Sequence, residues 1–148
     1  MAEITLQISP TEDAKDLPTP KYATEHAAGM DLYANISITI APGEIAAVPL
    51  GFRVAVPPGY EAQIRARSGL SLKHGITMIN GVGTIDADYR GEVCALVVNL
   101  GKAPYEISRA DRIAQMVINR IERPALKISA ALPPTERGEG GFGHTGDK

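Results

Sequence analysis

One short stretch of the chain, residues 80–91, carries most of the side chains suited to chemistry on a small ligand. It holds an amide (Asn80), two carboxylates (Asp86 and Asp88), a phenol (Tyr89) and a guanidinium (Arg90) among glycines. Glycine lets the backbone turn tightly and approach a ligand closely. If the stretch is extended, Asp86 and Asp88 point to the same face, as a catalytic pair would. The alternative is a polar β-hairpin with glycine turns, and this stretch alone leaves both interpretations open.

The last twelve residues, 137–148, form a second unusual stretch. Five of them are glycine, and Arg137 and Phe142 are the only arginine and the only aromatic residue among them. Because so little apolar surface cannot form a core, we predict a mobile tail, residues 137–148, after a folded domain of residues 1–136. A tail whose only role is to keep the chain soluble would need neither Arg137 nor Phe142. Successive glycine N–H groups can instead wrap phosphate oxygens.

The composition narrows the class of protein. A chain of 148 residues is most simply one domain, and its only cysteine, Cys94, excludes an intrachain disulfide. Cys94 lies in an apolar run, where we expect a small buried residue. The net charge of -2 argues against a protein that binds nucleic acid. The first residues do not resemble a signal peptide, and no apolar run reaches the roughly 18 residues of a membrane span. We therefore expect a soluble, cytoplasmic protein without membrane contact.

Short segments that alternate in polarity or are rich in β-branched residues predict an all-β fold. The candidate strands are residues 36–40, 52–56, 60–65 and 92–100, with turns at residues 41–43, 57–59 and 99–101. Strands at this spacing are typical of a sandwich or barrel. Residues 111–122 fit both a helix and a strand, and the strand-rich context favours a strand. At most one short helix is expected, within residues 68–75 and ending at Gly75.

Five separated segments, taken together, resemble the homotrimeric dUTP pyrophosphatases, or dUTPases. They are Ala28–Ala34 (AGMDLYA), Arg67–Leu70 (RSGL), Asn80–Glu92, Asp111–Gln115 (DRIAQ) and Arg137–Gly146. Each is weak alone, but the five follow the family's order and spacing across most of the chain. The resemblance implies a jelly-roll-like β-barrel with a flexible C-terminal arm, which agrees with the strand pattern. It also implies a homotrimer whose active sites are shared between subunits.

The resemblance further implies an activity, the hydrolysis of dUTP to dUMP and pyrophosphate. The family uses Mg²⁺ and a water that attacks the α-phosphorus, and thereby limits uracil in DNA and supplies dUMP for thymidylate synthesis. Asp86 matches the general base, whereas Asp88 is expected to be structural. Asp31 matches a residue that supports the water shell of the metal ion; the alternative is a polar residue at a strand end.

The substrate contacts follow from the same resemblance. Asn80 matches the residue that reads the uracil edge. Tyr89 matches the ring that packs under deoxyribose and excludes a 2′-hydroxyl, and Phe142 matches the tail aromatic that stacks on uracil. The other matching substrate-binding residues are Arg67, Ser68, Gly69 and Gln115 at the phosphates, Gly83, Thr84 and Ile85 near the base, and Arg137, Gly143, His144 and Thr145 in the tail.

Three positions fit the family pattern less well. Arg90 and Arg112 are weaker matches, and either could instead form a structural ion pair. His144 is a departure, because the family usually has serine there. A neutral imidazole can donate one hydrogen bond, and a protonated one adds attraction to phosphate, so His144 could make tail closure depend on pH.

Two other functions remain open from the sequence. A dCTP deaminase or a bifunctional relative would share the fold, although residues 80–91 and the glycine-rich tail look like the dUTPase branch. A catalytically idle relative that senses nucleotides or binds a protein partner would also share it. Such a relative would not need intact Asp86, Tyr89, Gln115 and Phe142.

Overall fold

A computed structural model describes residues 4–146 of the chain as a mostly β protein. The strands are β1 (Gln7–Pro10), β2 (Lys21–Tyr22), β3 (Met30–Tyr33), β4 (Ile38–Ile40), β5 (Ile45–Ala55), β6 (Tyr60–Ala66), β7 (Ile76–Met78), β8 (Val82–Ile85), β9 (Glu92–Asn99), β10 (Tyr105–Ile107) and β11 (Arg112–Arg120). One α-helix, α1 (Ser68–His74), and one 3₁₀ turn, Glu12–Ala14, complete the described elements. The prediction of an all-β fold with one short helix is confirmed.

Antiparallel pairing arranges the strands in three sheets. A four-stranded sheet has the order β1-β5-β9-β7, a five-stranded sheet has the order β2-β3-β11-β6-β8, and β10 pairs with β4. Alternate residues of both large sheets meet in one buried cluster, for example Ala62 and Ile64 from β6 and Val93, Ala95 and Val97 from β9. Because side chains alternate across a strand, the other face is free to carry polar residues, as it does in β6 with Gln63 and Arg65.

The ambiguous residues 111–122 form a strand, as predicted. In β11 the side chains of Ala114 and Met116 face the core and are fully buried. The register shifts between Arg112 and Ala114, which marks a β-bulge. The bulge allows Ile113 to be buried as well, and this adjacent pair of buried residues helps to explain why the sequence also fits a helical period.

Helix α1 ends where the sequence predicts. Gly75 follows the helix with a φ of 71°, and its N–H donates to the carbonyl of Ser71 at 3.0 Å. A side chain at Gly75 would also meet the loop after β9, since a Cβ there would lie 2.8 Å from Cα of Gly101. Only glycine satisfies both demands, so the helix stop is fixed by conformation and by packing together.

Two predicted strands begin two or more residues away from the observed start. Strand β5 begins at Ile45, well before the predicted residue 52, because a register shift between Pro49 and Arg53 accommodates both Pro49 and Gly51 within the strand. Strand β4 begins at Ile38, two residues later than predicted.

The interpretation of residues 80–91 as a polar hairpin is wrong. Strand β8 pairs with β6 in the five-stranded sheet, whereas β9, which follows the segment, pairs with β5 and β7 in the other large sheet. The segment therefore crosses from one sheet to the other.

The last strand ends at Arg120, and residues 121–146 contain no strand. The predicted division into residues 1–136 and a mobile tail of residues 137–148 stays a prediction. The last two residues of that tail, and residues 1–3 at the start of the chain, lie outside the described range.

Candidate active site

Strand pairing brings the residues of three predicted segments to one cavity. In the five-stranded sheet β11 lies between β3 and β6, and Gln115 is in register with Asp31 on one side and Arg65 on the other. Strand β6 then leads directly into Arg67 and helix α1. The resulting Arg67 cavity has a volume of about 570 Å³. Of the residues predicted from the sequence, it is lined by Asp31, Arg67, Ser68, Gly69 and Gln115.

Asp31, which lines the Arg67 cavity, forms ion pairs with two arginines. Its carboxylate is 3.1 Å from Nη1 of Arg112 and 3.7 Å from Nε of Arg67, and its side chain is only 15% exposed. Arg67 also donates to the carbonyl of Arg112 at 2.8 Å. Arg112 therefore forms a structural ion pair, which is one of the two roles that the sequence left open for it. Arg67 keeps donors available, because a guanidinium has five N–H groups.

Two basic residues of this cavity were not identified in the sequence. Lys73 and His74, in the last turn of α1, line the Arg67 cavity together with Ser68 and Gly69. The His74 ring also lies 4.8 Å from the ring of Tyr105, centroid to centroid. The sequence did contain a signal for Lys73, because it lies four residues after the predicted site residue Gly69, and residues at this spacing share a helix face. With Arg67 they make the cavity suited to a polyanion.

A second cavity, the Tyr89 pocket, collects the predicted residues of the segment from 80 to 91. Its volume is about 270 Å³. Six of the predicted residues line it: Asn80, Gly83, Thr84, Ile85, Asp86 and Tyr89. Glu92, Cys94 and Leu96 from β9, with Ile64 from β6, complete the wall and were not identified in the sequence. The pocket therefore combines an amide, a carboxylate and an aromatic ring with apolar surface.

Asp86 and Asp88 do not form a pair on one face of a strand, as the extended interpretation requires. Both follow the end of β8, in a turn closed by the Tyr89 N–H, which donates to the Asp86 carbonyl at 3.1 Å. Asp86 lines both the Tyr89 pocket and a cavity beside Pro58, whereas of these two cavities Asp88 lines only the one beside Pro58. Arg90 stabilises the turn through its guanidinium, which donates to the carbonyls of Ala87 and Tyr89.

Cys94 is half-buried, not buried as predicted. It lies on the face of β9 opposite to Val93 and Ala95, which are fully buried, and it lines the Tyr89 pocket. Burial, with a smaller contribution from the Glu92 carboxylate, raises the pKa of the Cys94 thiol. The thiol is therefore a poor nucleophile at neutral pH.

The two cavities lie apart on one chain. Ile85 is in register with Ala62, so Asp86 follows near the level of Glu61, and Arg67 lies 67 − 61 = 6 residues beyond Glu61. At about 3.3 Å per residue, the backbones of Asp86 and Arg67 are about 20 Å apart. Within the described residues, the Arg67 cavity and the Tyr89 pocket share no lining residue.

The tail is not brought to either cavity. Phe142 is fully exposed, and neither cavity is lined by a described residue beyond Gln115. The hydrogen bonds of residues 135–146 join tail residues to each other, such as Arg137 Nε to the Gly140 carbonyl at 2.7 Å. The predicted tail contacts of Arg137, Phe142, Gly143, His144 and Thr145 therefore stay predictions.

The donor set suits Mg²⁺ only if the substrate supplies most of the ligands. No group of three or more His, Cys, Asp or Glu residues that could hold a metal occurs among residues 4–146. Mg²⁺ often binds through one or two carboxylates, several waters and substrate phosphates. One carboxylate, Asp31, in a cavity rich in cationic donors fits that arrangement. Also within the described residues, no helix is long and apolar enough to span a membrane.

Comparisons with known proteins show which family the chain belongs to. The sequence model of the dUTPase family matches residues 15–146. A deoxyuridine 5′-triphosphate nucleotidohydrolase from Caldanaerobacter subterraneus is 57% identical over 145 residues, which cover 97% of this chain and 98% of that protein. One from a Thermoanaerobacter species is also 57% identical over 145 residues, with the same coverage.

Solved structures give the same result for the fold. The dUTPase of Staphylococcus bacteriophage 80alpha, determined with dUPNHPP, superposes with a TM-score of 0.88 at 28% identity, covering 96% of this chain and 98% of that one. Its G164S mutant, with dUpNHpp, gives a TM-score of 0.87 at 27% identity, with the same coverage. The jelly-roll-like β fold is thus confirmed, and the chain belongs to the dUTPase family, the deoxyuridine 5′-triphosphate nucleotidohydrolases.

Proposed function

We propose that this protein hydrolyses dUTP to dUMP and pyrophosphate by attack of water at the α-phosphorus. The observation that carries the proposal is the sorting of the predicted residues into two chemically distinct cavities. The Arg67 cavity holds cationic groups and amide donors, whereas the Tyr89 pocket holds an amide, a ring and the carboxylate of Asp86. One suits a triphosphate and the other a nucleoside with its attacking water.

In the proposed step Asp86 is the general base. Its carboxylate takes one proton from the water while the water oxygen bonds to the α-phosphorus. The bond from that phosphorus to the bridging oxygen of the β-phosphate breaks, and pyrophosphate leaves with its electron pair. A positioned base of this kind contributes about 10²–10⁴-fold to the rate.

The phosphates are held by groups of the Arg67 cavity. The planar guanidinium of Arg67 suits phosphate oxygens, and Ser68, Gly69 and Gln115 add neutral donors. Asp31 holds Arg67 in place through the ion pair described above. Lys73 adds positive charge at the same cavity and His74 adds an imidazole N–H donor, so both are expected to strengthen triphosphate binding.

The proposed specificity for deoxyuridine comes from the Tyr89 pocket. Asn80 can donate and accept with one amide, which suits the uracil edge, and the backbone from Gly83 to Ile85 lies in the same wall. Cytosine reverses the donor and acceptor positions and would leave buried groups unpaired, at about 1–3 kcal/mol per group. The Tyr89 ring is expected to pack under deoxyribose, where it leaves no space for a 2′-hydroxyl.

Mg²⁺ is proposed as the metal that accompanies the triphosphate. When bound, it would neutralise phosphate charge and orient the chain of phosphates. Asp31 would support its water shell from the edge of the Arg67 cavity, which is compatible with the two arginines on the same carboxylate.

We also propose a homotrimer in which each active site combines cavities of different subunits. A general base must lie within hydrogen-bond reach of the water that attacks the phosphate. The separation of about 20 Å between the backbones of Asp86 and Arg67 is too large for one triphosphate to use both within a single chain. A neighbouring subunit that brings its Tyr89 pocket to the Arg67 cavity removes this difficulty.

The tail, residues 137–148, is proposed to close over the bound triphosphate. Phe142 would stack on uracil, while Arg137, His144, Thr145 and the glycine N–H groups would contact phosphate. Ordering these residues costs about 1–2 kcal/mol each in backbone entropy, so closure requires a ligand with many charged contacts. The tail would therefore order on the triphosphate and relax on the product, which couples closure to the reaction.

In the cell, we propose that the enzyme acts in the cytoplasm. There it would limit the incorporation of uracil into DNA and supply dUMP for thymidylate synthesis. The single cysteine, which is unpaired, is compatible with a reducing compartment.

The proposal is tested by measuring pyrophosphate release from dUTP, dCTP, dTTP and UTP, each with and without Mg²⁺. Release from dUTP alone, and dependence on Mg²⁺, are expected. Ammonia release from dCTP would instead place the protein with the deaminases, and an absence of turnover with every nucleotide would favour a catalytically idle relative.

A further inference from the structure

Gly29, in the loop before β3, lies so close to Gln115 that no side chain fits between them. A Cβ built on Gly29 would lie 2.5 Å from Oε1 of Gln115 and 3.3 Å from Cδ. Because real Cβ contacts do not come this close, the Gln115 amide would have to move. The φ of Gly29 is not in the left-handed region, so the backbone itself tolerates alanine. The Gln115 amide is therefore the obstacle to a side chain at Gly29.

The Gln115 amide is also held from the opposite side. Its Nε2 donates to the carbonyl of Ala66 at 2.9 Å. The amide is thus fixed between the bare backbone of Gly29 and the end of β6. An amide nitrogen has two N–H donors, so one donor of Gln115 remains for a ligand. Both Gly29 and Gln115 line the Arg67 cavity.

We propose that Gly29 is a positioning residue for triphosphate binding, because its missing side chain sets the place of the Gln115 amide in the Arg67 cavity. This inference rests on the proposed function of that cavity as the phosphate site. An alanine at position 29 displaces Oε1, the far end of a flexible side chain, and leaves the sheet untouched. The substitution is therefore expected to cost substrate affinity and not stability.

A double-mutant cycle separates this role from a purely structural one. The four proteins are the parent, Gly29→Ala, Gln115→Ala and the double variant. For each, KM and kcat for dUTP, the affinity for a non-hydrolysable imido analogue of dUTP, and the midpoint of thermal unfolding are measured. Gly29→Ala is expected to raise KM and weaken analogue binding about tenfold, the effect of a hydrogen bond worth about 1.4 kcal/mol, with a much smaller change in kcat. The unfolding midpoint is expected to stay within about 2 °C of the parent.

In the Gln115→Ala background the same substitution at Gly29 is expected to have no further effect. Of the three atoms nearest to the new methyl group, only Cβ of residue 115 then remains, at 3.4 Å, which is an ordinary contact. An equal loss of affinity from Gly29→Ala in both backgrounds would overturn the proposal, as would parent-like affinity of the single variant. Failure of the proposed function is a separate outcome, because the parent would then neither hydrolyse dUTP nor bind the analogue.

Discussion

The hydroxyl of Tyr89 donates a hydrogen bond to the carbonyl oxygen of Glu92 at 2.9 Å, and the ring between them lies directly on Gly91. A Cβ at Gly91 would lie only 2.6 Å from Cζ of the ring. The orientation of Tyr89 in its pocket is therefore set by a hydrogen bond at one end and by a missing side chain beneath it.

Gly91→Ala is expected to reduce the discrimination between dUTP and UTP by about tenfold or more, because the methyl group moves the ring that excludes a 2′-hydroxyl. The measurement is the ratio of kcat/KM for the two nucleotides. Tyr89→Phe is the matched control, since it keeps the ring on Gly91 and loses only the hydrogen bond, and a smaller change is expected. A Gly91→Ala enzyme with the parent's ratio would contradict this role of the ring.

Asp86→Asn is expected to lower kcat by about 10²–10⁴-fold while the affinity for a non-hydrolysable dUTP analogue is kept, because only the proton acceptor is lost. Asp88→Asn is the control, with the same change of charge two residues away at a residue that does not line the Tyr89 pocket. It is expected to keep most of the activity. Equal losses in the two variants would mean that the charge of the turn, not the Asp86 carboxylate, supports catalysis.

Deletion of residues 137–148 is expected to remove most dUTP hydrolysis, because the tail is proposed to close over the bound triphosphate. The fold is expected to stay intact, because no described residue of this tail lines either cavity or packs in the core. Circular dichroism and the unfolding midpoint report on the fold. Phe142→Ala is the milder variant. It is expected to weaken substrate binding by the free energy of stacking one base on an aromatic ring, roughly 1–3 kcal/mol. Hydrolysis at the full rate by the truncated enzyme would remove the tail from the mechanism.

An ion pair that lines neither cavity is expected to make stability depend on pH. Arg109 binds both carboxylate oxygens of Asp16 at 2.8 Å, and this hydrogen bonding lowers the pKa of Asp16 from 3.8 to about 2. Since the pKa is lowered in the folded state, the pair stabilises the fold above pH 3.8, and the contribution is lost as the pH falls toward about 2. The difference in unfolding midpoint between the parent and Asp16→Asn is therefore expected to be largest near neutral pH and to shrink across that window.

Glu12→Gln is the control for Asp16→Asn, because it removes an equal charge from an exposed pair with Lys15 whose two side chains are 63% and 89% exposed. Such pairs contribute little to stability. If the difference in unfolding midpoint between the parent and Asp16→Asn does not change with pH, packing of the Asp16 side chain, not its charge, stabilises the 3₁₀ turn.

Local signals in the sequence predicted local structure well. The stop of α1 at Gly75 needs only a glycine in the left-handed conformation, and the strand in residues 111–122 follows from alternation in a strand-rich context. The grouping of Asp31 with Arg67 and Gln115 came from the resemblance to the family. No pattern in the sequence gives the register between β3, β11 and β6 that produces it.

The failures of sequence reasoning concern which element packs against which. The choice of β6 as the partner of β8 is a long-range pairing, so the turn residues of the segment after Asn80 could not predict it. Cys94 was placed on the wrong face because β9 carries apolar residues on both faces. The alternation of polar and apolar residues then does not indicate which face is buried. Lys73 and His74 were missed because their role depends on the cavity that α1 borders, although their helical spacing pointed to it.

The central claim, that each active site joins the Arg67 cavity of one subunit to the Tyr89 pocket of another, is tested most directly by mixing two inactive variants. Arg67→Ala and Asp86→Asn are each expected to be nearly inactive. Unfolded and refolded together in equal amounts, they would place two intact cavities side by side in about one quarter of the sites, and activity is expected to recover to about that fraction of the parent. The variant with both substitutions in one chain, mixed with either single variant, is the control. If the mixture of single variants stays as inactive as its components while trimers form, each site lies within one chain and the account is wrong.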